Sequence, residues 1–366
     1  MNGRRAALLR RLAAVARVGA VIAAVAAVSA LPFDWEKMGR TATLLAAGLQ
    51  QPHNAVQLLG ERLAENETAP LDIMDAPQYI APNAEDHTAI LPSDETTSLP
   101  VVAVPKQDGS GGKVYTRKLD TGDARQNGIA LRNNSGKSVD IAAALSTKLT
   151  PKFTDTDAPQ VLIIHTHTTE GYMTYDAGYY NAADRERNTD HSRNVCAVGD
   201  AVVKALAAHG INAIHDTTVH DSPYSGAYTR SAKTVQSILD KHPTIQVVLD
   251  LHRDALMEGS SGLVKPTVTI NGKKAAQMMI IAGVLSTNAL PNTHWEQNLA
   301  LAAKWQKVLT ENYDGLMRPL YTVGSRYNQH LHAGYLLVEV GSEGNTVEEA
   351  VYSGEILGKT LAELLK

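Results

Sequence analysis

Short apolar runs alternate with longer amphipathic stretches through residues 113–366 of this 366-residue chain. The runs at 161–164 (Val-Leu-Ile-Ile), 245–251 and 335–340 are short and nearly continuous, which predicts strands buried on both faces. Residues 195–209 set Val195, Val198, Val202, Val203 and Leu206 on one helical face and stop at Gly210. Helical spacing returns over 225–239 and over 296–309, where Leu299, Ala302, Trp305 and Leu309 share a face. Thr346 with Glu349 three residues on is a capping box, opening a last helix that runs to Lys366. Residues 264–270 and 276–281 flank Asn271-Gly272, the signature of a hairpin with a type I′ turn. Shorter signals mark strands at 114–116, 129–133 and 211–214 and a small helix at 139–145. Strand and helix in alternation predict an α/β domain over 113–366, a mixed, mostly parallel sheet flanked by helices on both faces.

The pattern differs upstream. Arg4, Arg5, Arg10, Arg11 and Arg17 lead into an apolar stretch from Val18 to Phe33, the order of an export signal. Residues 1–33 read as an uncleaved signal anchor, N-terminus inside, with the rest of the chain outside the cytoplasm as a single-pass protein of the cell membrane. Cleavage after Val28-Ser29-Ala30 is the alternative. Residues 34–112 begin with helical spacing and pass into a stretch punctuated by Pro70, Pro77, Pro82, Pro92, Pro100 and Pro105. Its few apolar side chains cannot offset chain entropy, so it reads as an extracytoplasmic linker.

Composition narrows the function. A formal net charge of −4 gives no basic footprint for nucleic acid. The 13 tyrosines against 2 phenylalanines and 3 tryptophans favour a polar ligand surface. Cys196 is the single cysteine and makes no internal disulfide; set among Val195 and Val198, it reads as a core thiol.

The candidate chemistry sits where the predicted strands stop, the usual place for a site in an open α/β sheet. His165-Thr166-His167-Thr168-Thr169-Glu170 follows the first run, Asp250-Leu251-His252-Arg253-Asp254 ends the second, and Glu339 lies in the third. An extended strand end would turn His165 and His167 to the same side, one as a metal ligand and the other supporting it. With His252, two imidazoles at separate strand ends suit zinc, and a catalytic zinc site takes three protein ligands. Glu170, Asp190 and His191 are candidates for the third. Asp250 or Asp254 can take the second ring N–H of His252, and Arg253 can hold an anionic group. Glu339, a carboxylate in an apolar strand, is costly to bury idle and suits proton transfer. Tyr327-Asn328-Gln329 offers amides for substrate. The chain carries no Gly-x-Ser-x-Gly, no phosphate-binding Gly-x-x-x-x-Gly-Lys and no His-Glu-x-x-His.

Taken together, several fragments resemble the stage II sporulation protein P family. They are Val161 to Tyr172, Asn194-Val195 with Val198-Gly199-Asp200, Asp250 to Asp254, Val268 to Lys273, Tyr327-Asn328-Gln329, and Leu337 to Gly341 followed by Asn345-Thr346. The resemblance runs in order through about residues 113–366; Gly171 departs from it where a serine is common. It implies a fold like that of zinc N-acetylmuramoyl-L-alanine amidases. The implied activity on peptidoglycan is cleavage of the amide joining muramic acid to the stem peptide, and of peptide cross-links, during engulfment. Stage II sporulation proteins D and M are the implied partners. Zn2+ falls to His167 and His252, and Glu339 takes the catalytic role. The wider amidases place a glutamate just before the first helix; Asp190-His191-Ser192-Arg193 stands there, and His191 is taken as the third ligand. His165, Glu170, Arg253, Asp254 and Asn328 are taken as supporting or substrate-binding residues. Two other readings stay open from the residues: a wall-binding scaffold without catalysis, and a zinc peptidase acting on cross-links alone.

Overall fold

The structure, a computed structural model, describes residues 103–122, 125–185, 187–284 and 292–366. Contacts separate Met1–Ala69 from Pro70–Lys366, and every described residue lies in the second unit. The expected anchor and nearly all of the expected linker fall outside the described residues. From Pro105 on, the chain is tied down: the Pro105 carbonyl accepts from the Tyr179 hydroxyl at 2.5 Å, and Asp108 N–H donates to Asn181 at 3.0 Å. Among the described residues no helix is long and apolar enough to cross a membrane.

The strands, in order, are β1 (Gly112–Arg117), β2 (Arg125–Gln126), β3 (Ile129–Asn134), β4 (Val161–Ile164), β5 (Tyr179–Tyr180), β6 (Ala213–His215), β7 (Val247–Asp254), β8 (Met257–Glu258), β9 (Gly262–Ile270), β10 (Lys273–Ala276), β11 (Met278–Gly283), β12 (Leu320–Val323) and β13 (Tyr335–Ser342). The helices are α1 (Ile141–Ser146), α2 (Val195–Ala207), α3 (Ala227–Lys241), α4 (Trp295–Asn312) and α5 (Val347–Leu365). Among the described residues, eight strands form the main sheet in the order β2-β3-β12-β11-β13-β7-β4-β6. The β13–β7, β7–β4 and β4–β6 pairs are parallel, as are β3–β12 and β12–β11; β11–β13 and β2–β3 are antiparallel. A second sheet runs β10-β9-β1-β5, with β8 on β9.

The period of two sorts the central strands between two cores. Val161, Ile163, Leu249, Leu251, Val338 and Val340 pack with α2, α4 and α5, whereas Leu162, Ile164, Val248 and Tyr335 pack with Val235 and Ile238 of α3. Helix α2 buries Val195, Val198, Val202 and Leu206, one turn apart. Asn194 caps it by accepting from Cys196 N–H at 2.9 Å. Helix α5 opens on the full Thr346–Glu349 capping box. It lies so close to α2 that a Cβ on Gly358 would stand 2.6 Å from the Val202 carbonyl.

The Asn271-Gly272 turn joins β9 to β10, with both residues at positive φ. The apolar stretch beyond it does not stay in that hairpin. At Gln277 the chain leaves the small sheet, and β11 joins the main one beside β13. Gln277 is wholly buried and fixes the crossing, donating to the Gly315 carbonyl at 2.7 Å and accepting from Leu119 N–H at 2.6 Å.

Candidate metal and catalytic site

Strands β4, β7 and β13 are parallel neighbours, so their C-terminal ends open on one edge. His252 and Glu339 are register partners across β7 and β13. Residues opposite one another in register face the same side, and here that is the α3 side, because Val248 and Tyr335 at the same parity pack on α3. Beyond Ile164 the chain is no longer a strand. His165 to Glu170 form a turn in which Glu170 N–H donates to the His167 carbonyl at 3.1 Å.

Side chains pin this turn from several directions. Thr166 donates to Asp250 through its N–H at 2.8 Å and its hydroxyl at 2.7 Å. Thr168 donates to the Thr218 carbonyl at 2.6 Å, and Thr169 to Asp221 at 2.7 Å. The turn brings Glu170, not His191, to the two imidazoles. Donor atoms of His167, Glu170 and His252, all buried, lie within 4.8 Å of one another. His191 is exposed in a one-turn helix capped by Asp190, and among the described residues neither joins a ligand group.

The donors of this group are placed so that they could hold a cation. Both ring nitrogens of His167 are buried without a hydrogen-bond partner. Burial pushes its imidazole down to about 4. His252 lies between two carboxylates, with Nε2 at 2.9 Å from Asp250 and Nδ1 at 3.5 Å from Glu170. Burial opposes its charge, but Asp250 and Glu170 outweigh it and hold His252 well above the ordinary imidazole range. Burial likewise opposes charge on Glu170, and the hydrogen bond and charge of His252 keep it well below the usual carboxylate range. Two imidazoles, one of them orphaned, and a carboxylate at this spacing fit a divalent ion with mixed nitrogen and oxygen ligands.

Glu339 is partly buried, and its Oε2 is covered without a partner. Burial, then the negative charge of Asp254, pushes it up to about 8. Asp254 is held by Arg318 at 2.8 Å. Arg253 is engaged elsewhere: its N–H meets Glu170 at 3.1 Å, and its guanidinium meets the Gly171 carbonyl at 3.1 Å and Glu343 at 3.3 Å. Asn328 is buried and donates to the Tyr228 carbonyl at 2.8 Å and Ser231 at 3.1 Å, bracing α3. His165 leaves the group altogether. It contacts His215 and the Leu251 carbonyl, each at 2.9 Å, because the strand ends before it and the period of two no longer applies.

Several residues at the site carried no sequence signal of their own. Tyr224 stacks on His167 with ring centres 4.6 Å apart, and Tyr228 meets the same ring edge-on at 5.7 Å. Arg187 lies over Tyr224 at 4.7 Å, pairs with Asp221 and approaches Glu170 to 4.0 Å. Only the excess of tyrosine hinted at this aromatic wall.

Comparison with known proteins gives a family and weaker structural likenesses. The family model described as stage II sporulation protein P matches residues 79–362. The stage II sporulation protein P of Bacillus subtilis (strain 168) is 29% identical over 226 residues, 58% of this chain and 53% of that protein, so the match spans about half the length of that relative. The N-acetylmuramyl-L-alanine amidase Ami1 of Mycobacterium smegmatis is 12% identical with a TM-score of 0.33, covering 57% of this chain and 97% of that one. An N-acetylmuramoyl-L-alanine amidase of Clostridium difficile 630 is 15% identical with a TM-score of 0.31, covering 57% and 94%. Scores at this level do not by themselves assign the fold.

Proposed function

The chain belongs to the stage II sporulation protein P family, and on that premise we propose that it is a peptidoglycan hydrolase of sporulation that depends on zinc. The observation that carries this reading is the meeting of His167, Glu170 and His252 beside Glu339 at the ends of adjacent parallel strands. The bonds cut are the amide between muramic acid and the stem peptide, and cross-links between peptides.

His167, Glu170 and His252 would hold the zinc. When bound, zinc supplies a Lewis acid that polarises a carbonyl and acidifies water. Asp250, fixed by Thr166, orients His252 from the ring's far nitrogen. Glu339 moves the proton, taking it from the attacking water and delivering it to the leaving amine. A carboxyl pushed up to about 8 is mostly protonated at neutral pH; a cation beside it brings it back towards the range of a working base. Tyr224 and Tyr228 wall the approach to His167 and shield it from water.

We also propose that the N-terminal segment anchors the enzyme at the outer face of the membrane, and that stage II sporulation proteins D and M act with it. Product analysis tests the reaction. The full chain with purified peptidoglycan should release stem peptides beginning with a free L-alanine amine, and a chelator should stop the release. Intact glycopeptides with and without chelator would sink the proposal.

A further inference from the structure

His165, Cys196 and His215 bring a second set of donor atoms within 4.8 Å of one another. His165 follows β4, Cys196 lies in the first turn of α2, and His215 ends the edge strand β6. His165 and Cys196 are wholly buried. Each imidazole is held at its Nδ1 by an atom that can only accept: the Leu251 carbonyl for His165 and the Asp200 carboxylate for His215, both at 2.9 Å. The two Nδ1 atoms therefore carry hydrogens, and the two Nε2 atoms face each other 2.9 Å apart. Two bare lone pairs repel at that distance, so the pair calls for a proton or a cation between them.

A further observation favours the cation. A metal-bound histidine usually has its other ring nitrogen clamped by a carbonyl or carboxylate, which is how both rings are held here. A glycine inside α2 lets both Nε2 atoms come close to the helix that carries Cys196. A Cβ on Gly199 would lie 2.3 Å from His215 Nε2 and 3.0 Å from His165 Nε2. Glycine inside a helix is less favourable than alanine, and the close approach of the two imidazoles accounts for it.

We propose that His165, Cys196 and His215 bind a thiophilic divalent cation of the zinc class, separate from the one held by His167, Glu170 and His252. Binding releases the thiol proton and the proton shared by the imidazoles to solvent. Tetrahedral zinc, with Zn–N of about 2.0–2.1 Å, sets its nitrogens about 3.3 Å apart, so the rings need to part by only a few tenths of an ångström. Bound there, the ion ties the end of β4, the start of α2 and the edge strand together. Asp200, 68% exposed, marks the side from which the ion enters.

Cobalt(II) is a suitable probe because Cys196 is the only cysteine of the chain. Any thiolate-to-cobalt charge-transfer band in the near ultraviolet must come from it. The metal-free full chain should take up two equivalents of cobalt and show that band. Cys196→Ser and His215→Ala should lose the band and one equivalent, while His167→Ala should keep the band. Wild-type protein that binds one equivalent without the band overturns the proposal and leaves a proton between the two imidazoles. Because the wild type decides this alone, a variant that fails to fold does not protect the idea.

Discussion

Glu339 and His252 are register partners on adjacent parallel strands, one cationic and the other pushed towards neutrality. Backbone hydrogen bonding alone sets that relationship, so the proposed base and one proposed ligand hold their spacing whatever the loops do. The remaining two ligands reach them on a turn.

Glu170, rather than His191, should prove to be the third ligand. His167→Ala, Glu170→Gln and His252→Ala should each lose one equivalent of zinc by elemental analysis, and His191→Ala should lose none. Zinc retained in Glu170→Gln but lost in His191→Ala would restore the assignment made from sequence.

Glu339→Gln keeps the shape and removes the base. Zinc content should be unchanged while hydrolysis falls by about 10²-fold or more, the range for a general acid–base group. Turnover close to wild type would show that another group moves the proton.

The metal-free protein should lose stability as pH rises through neutrality. Glu339 titrates near 4.5 when unfolded and near 8 when folded, so between those values the folded state holds the extra proton and stability falls with rising pH. His252, also raised, acts in the same direction. His167, lowered to about 4, acts oppositely, costing stability as pH falls from 6.5. Melting curves of wild type and Glu339→Gln in chelator, from pH 5 to 9, isolate the Glu339 contribution as a difference. A difference that stays flat would place Glu339 in ordinary solvent contact.

Gly199→Ala should destabilise the fold despite alanine's better helix propensity. The gain is about 1 kcal/mol, against a typical overpacking cost of about 1–3 kcal/mol at a contact of 2.3 Å with His215. A lower melting temperature is expected. A higher one would show that His215 swings aside freely.

Much of this arrangement is legible in the sequence wherever the signal is local. The run Val161–Ile164, the Thr346–Glu349 box and the Asn271-Gly272 turn are each written within a few residues, and each occurs as read. What fails is set from far away. The hairpin breaks at Gln277 because its side chain answers to Leu119 and Gly315. Strand β12 gave no signal, being four residues with no clear period, paired to β3 nearly 190 positions earlier. Glu170 was in view as a candidate ligand, yet its place depends on a turn held by Asp221 and Thr218, some 50 residues on. Tyr224 meets His167 only through that same loop.

The six-residue turn from His165 to Glu170 thus divides the site by durability. His252 and Glu339 sit in the backbone ladder and come apart only when the sheet does. His167 and Glu170 ride on a turn tied to β7 through Thr166 and Arg253 N–H, and through the Thr168 and Thr169 hydroxyls to the 216–224 segment; loops of that kind open at far lower free energy than core strands. An excursion of that segment is therefore expected to loosen His167 and Glu170 while His252 and Glu339 stay in place. Amide exchange would register this as fast exchange at Thr169 and Glu170 beside slow exchange at Leu251 and Val338. The proposed hydrolase can then rest disarmed while its sheet stays folded.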